Sequence, residues 1–244
     1  MPEHRPVFPT KKPLHRIFTA IPGRYDLINH VITLGMDTGW RKQAALACLE
    51  GRPGRILDLC CGTGDLSLLL AKLAEYSPEI TAVDYSKPML QVAVEKAASA
   101  PGGERVSFRQ ADVSQLPFPD SHFGCAGISF AFRNLTYKNP MAQQYMAEIL
   151  RVLRPGGRFV IVESCQPQSA FVRFFFRLFL RWSVYPAGYI ISGNKSAYKY
   201  LAESAEHFYS AEEAVEFLVH SGFRAVSFKR LFFGAAVVYV ATAW

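Results

Sequence analysis

The sequence predicts an α/β fold: a mostly parallel sheet with helices on both faces and an antiparallel hairpin at its C-terminal end. Three observations carry that reading. Residues 55–65, RILDLCCGTGD, read as a buried strand (Ile56, Leu57, Leu59), a glycine turn (Gly62, Thr63, Gly64) and the start of a helix. From there, short apolar β-type runs alternate with stretches of helical periodicity, the pattern of a parallel sheet covered on both sides. Near the C-terminus the alternation stops, and two β-rich runs at 224–233 and 235–243 stand on either side of Gly234.

Taken in order, residues 1–13 carry four prolines and scattered charge and read as a loose tail. Residues 14–47 read as two or three short helices, broken at Pro22-Gly23 and again across 33–39. Strands are expected at 55–59, 80–83, 106–109, 123–129 and 158–163, and helices at 65–74, 87–98 and 140–153. Asn139-Pro140 should start the last of these, an amide at the cap and a proline in the first turn. Pro155-Gly156-Gly157 should end it. A later helix at 211–221 opens on Ser210 with Glu213 three residues on, a capping box, and stops at Gly222. The chain therefore divides into an N-terminal tail and helical cap, 1–50, and an α/β domain, 51–244, with a lid or substrate insertion at about 166–209.

Within that insertion, residues 170–191, AFVRFFFRLFLRWSVYPAGYII, stand apart. Arg173, Arg177 and Arg181 recur every four residues, so they drift slowly along one helix face, and the remainder is Phe, Leu, Val and Trp. The segment is too apolar for an ordinary surface helix and too charged for a membrane span. A lid over an apolar site, a membrane-surface helix and a core helix with snorkelling arginines all fit.

Composition narrows the classes. Half of the 244 residues are hydrophobic, enough for a sizeable core, and the formal charge is +7. That surplus suits nucleic acid, an anionic membrane surface or an anionic substrate. Nucleic acid is not expected, because the basic residues are spread along the chain and the densest aromatic stretch is not interleaved as a stacking platform. The five cysteines, Cys48, Cys60, Cys61, Cys125 and Cys165, are odd in number and show no CxxC spacing. They form neither a disulfide framework nor a zinc site, so no metal is expected and a reducing compartment fits. Residues 1–13 lack the apolar core of a secretory signal. The expected location is the cytoplasm, with peripheral attachment to the inner face of the membrane open, as is the choice between monomer and homodimer.

The glycine turn allows close backbone approach to a ligand, and the helix start presents unpaired N–H groups. Asp84, twenty residues after Gly64, closes the second strand at a distance suited to a ribose diol. Asp112 follows the third strand and can accept from an adenine amino group, with Val113 as an apolar wall. No GxGxxG fingerprint and no phosphate loop is present, which points to a nucleoside carrying little phosphate.

DLCCGTGD with Asp84, QADVSQLPFPDSHF and RVLRPGGRF resemble the class I S-adenosylmethionine-dependent methyltransferases, with their Rossmann-like sheet. RYDLIN, LGMDTGWR, GISFAFRNLTYK and SAYKYLAES narrow the resemblance to the quinone C-methyltransferases, from about Phe18 to the C-terminus. The resemblance implies S-adenosyl-L-methionine as methyl donor and a prenylated hydroquinone as substrate, demethylmenaquinol ahead of the benzoquinol precursor of ubiquinone. It puts Thr63, Asp84, Asp112, Val113 and Ser129 on cofactor-contacting positions, with Gly62 and Gly64 forming the turn below the methionine moiety. Cys60 stands where the general motif has its first glycine, so the backbone there should be less free. The implied reaction needs a phenolate stabilised as it forms. Arg133 is the candidate oxyanion partner, with a structural ion pair as the alternative. Asn134 would orient the ring or a water, and Tyr25 would relay the proton or cover the cofactor. His30 and His207 are further candidate bases, with surface or packing roles as their alternative.

Overall fold

The computed structural model describes residue 30 and residues 33–179 and 208–244. Its elements in chain order are α1 (Met36–Leu49), β1 (Arg55–Leu59), α2 (Asp65–Leu73), β2 (Glu79–Asp84), α3 (Lys87–Ser99), β3 (Val106–Gln110), β4 (Phe123–Ser129), α4 (Phe132–Thr136), α5 (Ala142–Val152), β5 (Leu153–Ser164), α6 (Ala170–Phe179), α7 (Ala211–His220), β6 (Arg224–Leu231) and β7 (Ala236–Thr242).

The strands form one seven-stranded sheet in the order β3-β2-β1-β4-β5-β7-β6. The first five run parallel. β7 lies antiparallel between β5 and β6, pairing Arg158 with Thr242 on one side and Lys229 with Val238 on the other. The expected C-terminal hairpin is therefore present, and its second strand is the one that docks on the parallel sheet.

Period-two alternation sends neighbouring side chains to opposite faces. Ile56 joins Val160, Val162, Leu66, Leu70, Ala44 and Ala45 on the face covered by α1, α2 and α3. Leu57 and Leu59 join Phe159, Ile161, Met146, Ile149 and Leu218 on the face covered by α4, α5 and α7. Both faces are buried, which is why the central strands read as near-continuous apolar runs. The capping box of α7 forms as expected, Ser210 Oγ accepting the Glu213 N–H and the Glu213 carboxylate accepting the Ser210 N–H.

Four expectations need correction. The break expected across 33–39 is confined to 33–35, a turn in which Leu34 and Gly35 take left-handed backbone; α1 then starts at Met36 and runs through Gly39, whose exposed position makes it a cost of about 1 kcal/mol and not a stop. α5 starts at Ala142, two residues after Pro140, because the Asn139 side chain closes a turn on the Met141 N–H first. β5 starts at Leu153 and not at 158. Its glycines are tied to the chain end, Gly156 N–H to Ala243 C=O at 3.0 Å and Ala243 N–H to Gly157 C=O at 2.7 Å. Finally, the FRN string forms the short helix α4, for which no helix was expected. The proposed insertion falls largely outside the described residues, as does most of the N-terminal cap. Of the insertion's apolar segment, the first part forms α6, with Phe171, Phe174, Phe175 and Leu178 exposed.

Candidate functional site

The strand order reverses between β1 and β4, so the connections leaving those two strands diverge and open a crevice beyond their carboxyl ends. The register aligns the strand tips there. Leu59 pairs with Val83 and with Ile128, Asp84 with Gln110, and Ser129 with Val162. The expected cofactor residues therefore gather from four separate strands into one rim.

Residues 60–64 form the floor of that rim. The Cys61 N–H donates to Val83 C=O at 3.0 Å, the Gly62 N–H to Asp84 Oδ2 at 2.9 Å, and the Gly64 N–H to Cys61 C=O at 2.9 Å. Gly62 and Gly64 both take left-handed backbone, φ 56 and 85. A Cβ on Gly64 would also sit 3.2 Å from Ala93 and from the Phe108 ring, so glycine is needed there for space as well as for conformation. Cys60 adopts φ 52 with a side chain in place. The departure from the general motif is thus borne as backbone strain, of order 1–2 kcal/mol. Burial pushes the Cys60 and Cys61 thiols well up, which keeps them protonated and poorly nucleophilic.

Asp84 anchors the loop as well as facing the crevice. Its second oxygen accepts the Ser86 N–H at 2.7 Å. Asp112 is held by its own turn, Oδ1 accepting the Ser114 N–H at 2.8 Å, and Val113 beside it is buried. Thr63 is buried and its hydroxyl accepts from Lys96 Nζ at 3.3 Å; Lys96 also pairs with Asp65.

At the other side of the crevice, α4 places Arg133 against the end of β5. Its backbone N–H donates to Glu163 Oε2 at 3.0 Å, and Nη1 donates to Ser164 Oγ at 2.6 Å and lies 3.7 Å from Glu163 Oε1. Ser164 returns its N–H and its hydroxyl to Glu163 Oε1, both at 2.9 Å. Arg133 and Glu163 are 5% and 1% exposed. The ion-pair alternative for Arg133 therefore exists, yet it leaves Nε buried without a protein partner, as is Ser129 Oγ. Asn134 is half-buried, its carbonyl accepting from Asn139 Nδ2 at 3.1 Å.

Of the remaining candidates, only His30 is described, and it lies elsewhere. Tyr25 and His207 lie outside the described residues. His30 contacts Asp37 Oδ1 at 3.2 Å and borders a separate cavity of about 470 Å³ with Arg41, Asp65, Lys72 and Lys96, which none of the crevice residues lines. Among the described residues, no cluster of three or more His, Cys, Asp or Glu is placed to hold a metal ion.

Three residues beside the candidate site escaped the sequence reading. Glu163 appeared only as the end of an expected strand and Ser164 not at all, although an acid closing an otherwise apolar strand was a usable signal. Asp58 appeared only as part of a motif. It is fully buried under the loop, accepts from the Ser67 hydroxyl, and keeps Oδ1 without a partner. Burial pushes its carboxyl up to about 7, against the opposing pull of the Ser67 bond.

Comparison with known proteins agrees with this fold. A crystal structure of a SAM-dependent methyltransferase from Thermotoga maritima superposes with a TM-score of 0.63 at 18% identity, covering 94% of this chain and 99% of that one. A demethylmenaquinone methyltransferase of Thermus thermophilus is 38% identical over 224 residues, 92% of this chain and 98% of its own. A ubiquinone/menaquinone biosynthesis C-methyltransferase of Geobacter sulfurreducens is 36% identical, covering 91% and 85%. The profile of the ubiE/COQ5 methyltransferase family matches residues 8–243, and the chain belongs to that family.

Proposed function

We propose that this chain methylates a ring carbon of demethylmenaquinol, using S-adenosylmethionine, to give menaquinol. The observation that carries the reading is the pairing of an adenosine-shaped rim with a buried arginine whose Nε has no protein partner. The names of the Thermus and Geobacter relatives support the substrate class, and the second name supports the benzoquinol precursor of ubiquinone as a second reading.

The rim fits a nucleoside sulfonium. It offers acidic groups to a diol and an exocyclic amine, a glycine floor, and the partnerless Ser129 Oγ. When bound, S-adenosylmethionine supplies an electrophilic methyl group. Asp84, fixed by two backbone N–H groups, takes the ribose; Asp112 takes the adenine amino group and Val113 flanks the ring. Thr63 and Ser129 contact the same ligand, above the turn made by Gly62 and Gly64.

On the substrate side, a quinol hydroxyl gives up its proton and charge spreads to the ortho carbon, which becomes nucleophilic. Arg133 stabilises that phenolate and, being always protonated, does not act as the base. Asn134 orients the ring or a water, and Tyr25 relays the proton or covers the cofactor. The segment at about 166–209 acts as lid and tail-binding region.

The prenyl tail places the substrate in a bilayer, so the enzyme works peripherally on the inner membrane face from the cytoplasm. The exposed rings of α6 and the +7 charge support this. Among the described residues, no helix is long and apolar enough to cross a membrane. Monomer and homodimer both accommodate this chemistry.

The test is a competition assay with demethylmenaquinol and the benzoquinol together and isotopically labelled methyl donor. Label on the naphthoquinol ring is expected. Arg133→Ala should abolish most turnover, on the order of 100-fold or more, while calorimetry shows cofactor affinity retained. No label on either quinol would end this reading.

A further inference from the structure

The turn of the β6–β7 hairpin is unusual in two respects. Phe232 and Phe233 both sit in left-handed backbone, φ 43 and 54, a conformation that bulky side chains rarely adopt. Their rings are nevertheless turned to solvent, 50% and 79% exposed, and pack edge-to-face at 5.6 Å. A strained turn that displays two aromatic rings is disfavoured on both counts in water, and strain of this kind gathers at functional positions.

Its position gives it a use. β6 is antiparallel to β7, and β7 to β5, so β6 runs with the parallel strands and the turn emerges at their carboxyl edge. That is the edge of the crevice. A chain of ring contacts joins the two: Phe130, next to Ser129, lies 6.2 Å from Trp40, and Trp40 lies 6.2 Å from Phe232. On the other side, a Cβ on Gly234 would come within 3.5 Å of Pro167, so the turn abuts the segment leading into α6 and its exposed Phe171, Phe174 and Phe175. Two basic side chains stand at this edge: Arg230 beside the turn, paired with Glu212, and Arg173 of α6, which donates to the Pro167 and Gln168 carbonyls, while the chain as a whole carries +7.

We infer that the Phe232–Phe233 turn is a bilayer wedge. It enters the interfacial layer of an anionic membrane beside α6 and turns the carboxyl edge of the sheet, with its crevice, toward the lipid. This rests on the lipid-substrate reading above and adds to it a second, independent point of contact. Two points of contact fix an orientation, which a single helix lying on the surface does not.

The test uses the full chain with F232G/F233G. Glycine suits the left-handed turn and offsets part of the lost Phe232–Trp40 contact, so this variant should fold, with a melting temperature close to the parent's. Co-flotation with phosphatidylcholine vesicles containing phosphatidylglycerol should fall roughly tenfold or more, the scale of withdrawing two phenylalanines from an apolar phase. Methyl transfer to vesicle-embedded quinol should fall with it, and transfer to a short-chain quinol in solution should not. If the parent floats and the variant floats equally well, the wedge is wrong and peripheral binding stands. If the parent does not float at all, the membrane reading fails and the wedge with it. A parent dimer that the variant splits in sedimentation velocity would make the turn a protein contact and likewise overturn the wedge.

Discussion

Asp58 shows how one buried side chain sets a pH dependence. It lies fully buried one residue before the end of β1 and two before Cys60, with one oxygen bonded by Ser67 and the other without a partner. Burial pushes its carboxyl from 3.8 to about 7, with the negative Asp84 and Asp65 adding to the effect. In the unfolded chain it would titrate near its ordinary value. Between about pH 4 and about pH 7 the folded chain therefore holds a proton that the unfolded chain has released. The stability this group contributes is full below that window and is lost as pH rises through it. At about 1.4 kcal/mol per pH unit, the swing is at most about 4 kcal/mol. Asp58→Asn, which stays neutral and can still accept from Ser67, should remove it. Urea unfolding at about pH 5 and about pH 8 should show the parent losing more stability than the variant over that interval. Equal losses would mean that Asp58 is ionised in the folded chain throughout. The neighbouring Cys60 adds strain to the same loop, so this short stretch holds both a buried acid and a left-handed non-glycine residue.

At the level of elements, the junction of β4, α4 and β5 holds Arg133 in place. Glu163 accepts the Arg133 backbone N–H and faces its guanidinium, and Ser164 bridges the two side chains. Breaking a buried pair by removing one charge leaves the other uncompensated, at a cost of about 3–5 kcal/mol. Glu163→Gln keeps the shape and one acceptor oxygen, so the loss should lie at or below the lower end of that range. Turnover should fall more than tenfold with cofactor affinity nearly unchanged, because Asp84 and the glycine floor are untouched. Weakened cofactor binding in this variant, read by calorimetry, would show that the clamp supports the whole rim and not the arginine. The contrast between rim and clamp also explains what could be read from the chain. The glycine turn, the strand ending at Asp84, the alternation of strands and helices and the Ser210–Glu213 box were legible because the sequence signal for each is local. The Arg133–Glu163 contact spans thirty residues and exists only through the register that pairs Ser129 with Val162. α4 has five residues, too few to show a helical period, and α1 concealed itself by carrying Gly39 in its interior. The start of β5 was misplaced because Pro155 and two glycines look like a stop unless their bonds to Ala243 are known.

For the molecule as a whole, the question is how a protein with +7 formal charge and exposed rings at one sheet edge meets a lipid substrate. Charge and apolar insertion respond oppositely to salt. Raising monovalent salt from about 0.1 M to about 1 M shortens the screening length from about 10 Å to about 3 Å and removes attraction to anionic headgroups. The apolar contribution of Phe171, Phe174, Phe232 and Phe233 is not screened, and strongly excluded salts strengthen it. If charge brings the enzyme to the bilayer and the rings hold it there, sodium chloride should lower the association rate more than it raises dissociation. Turnover of vesicle-embedded quinol should drop while turnover of a short-chain quinol stays level. Stopped-flow energy transfer to labelled vesicles, with a parallel activity titration, measures both. Dissociation accelerating as much as association slows would show that headgroup charge, and not the aromatic edge, retains the enzyme. An association rate indifferent to salt would remove the net charge from the account and leave the apolar edge as the whole of the attraction.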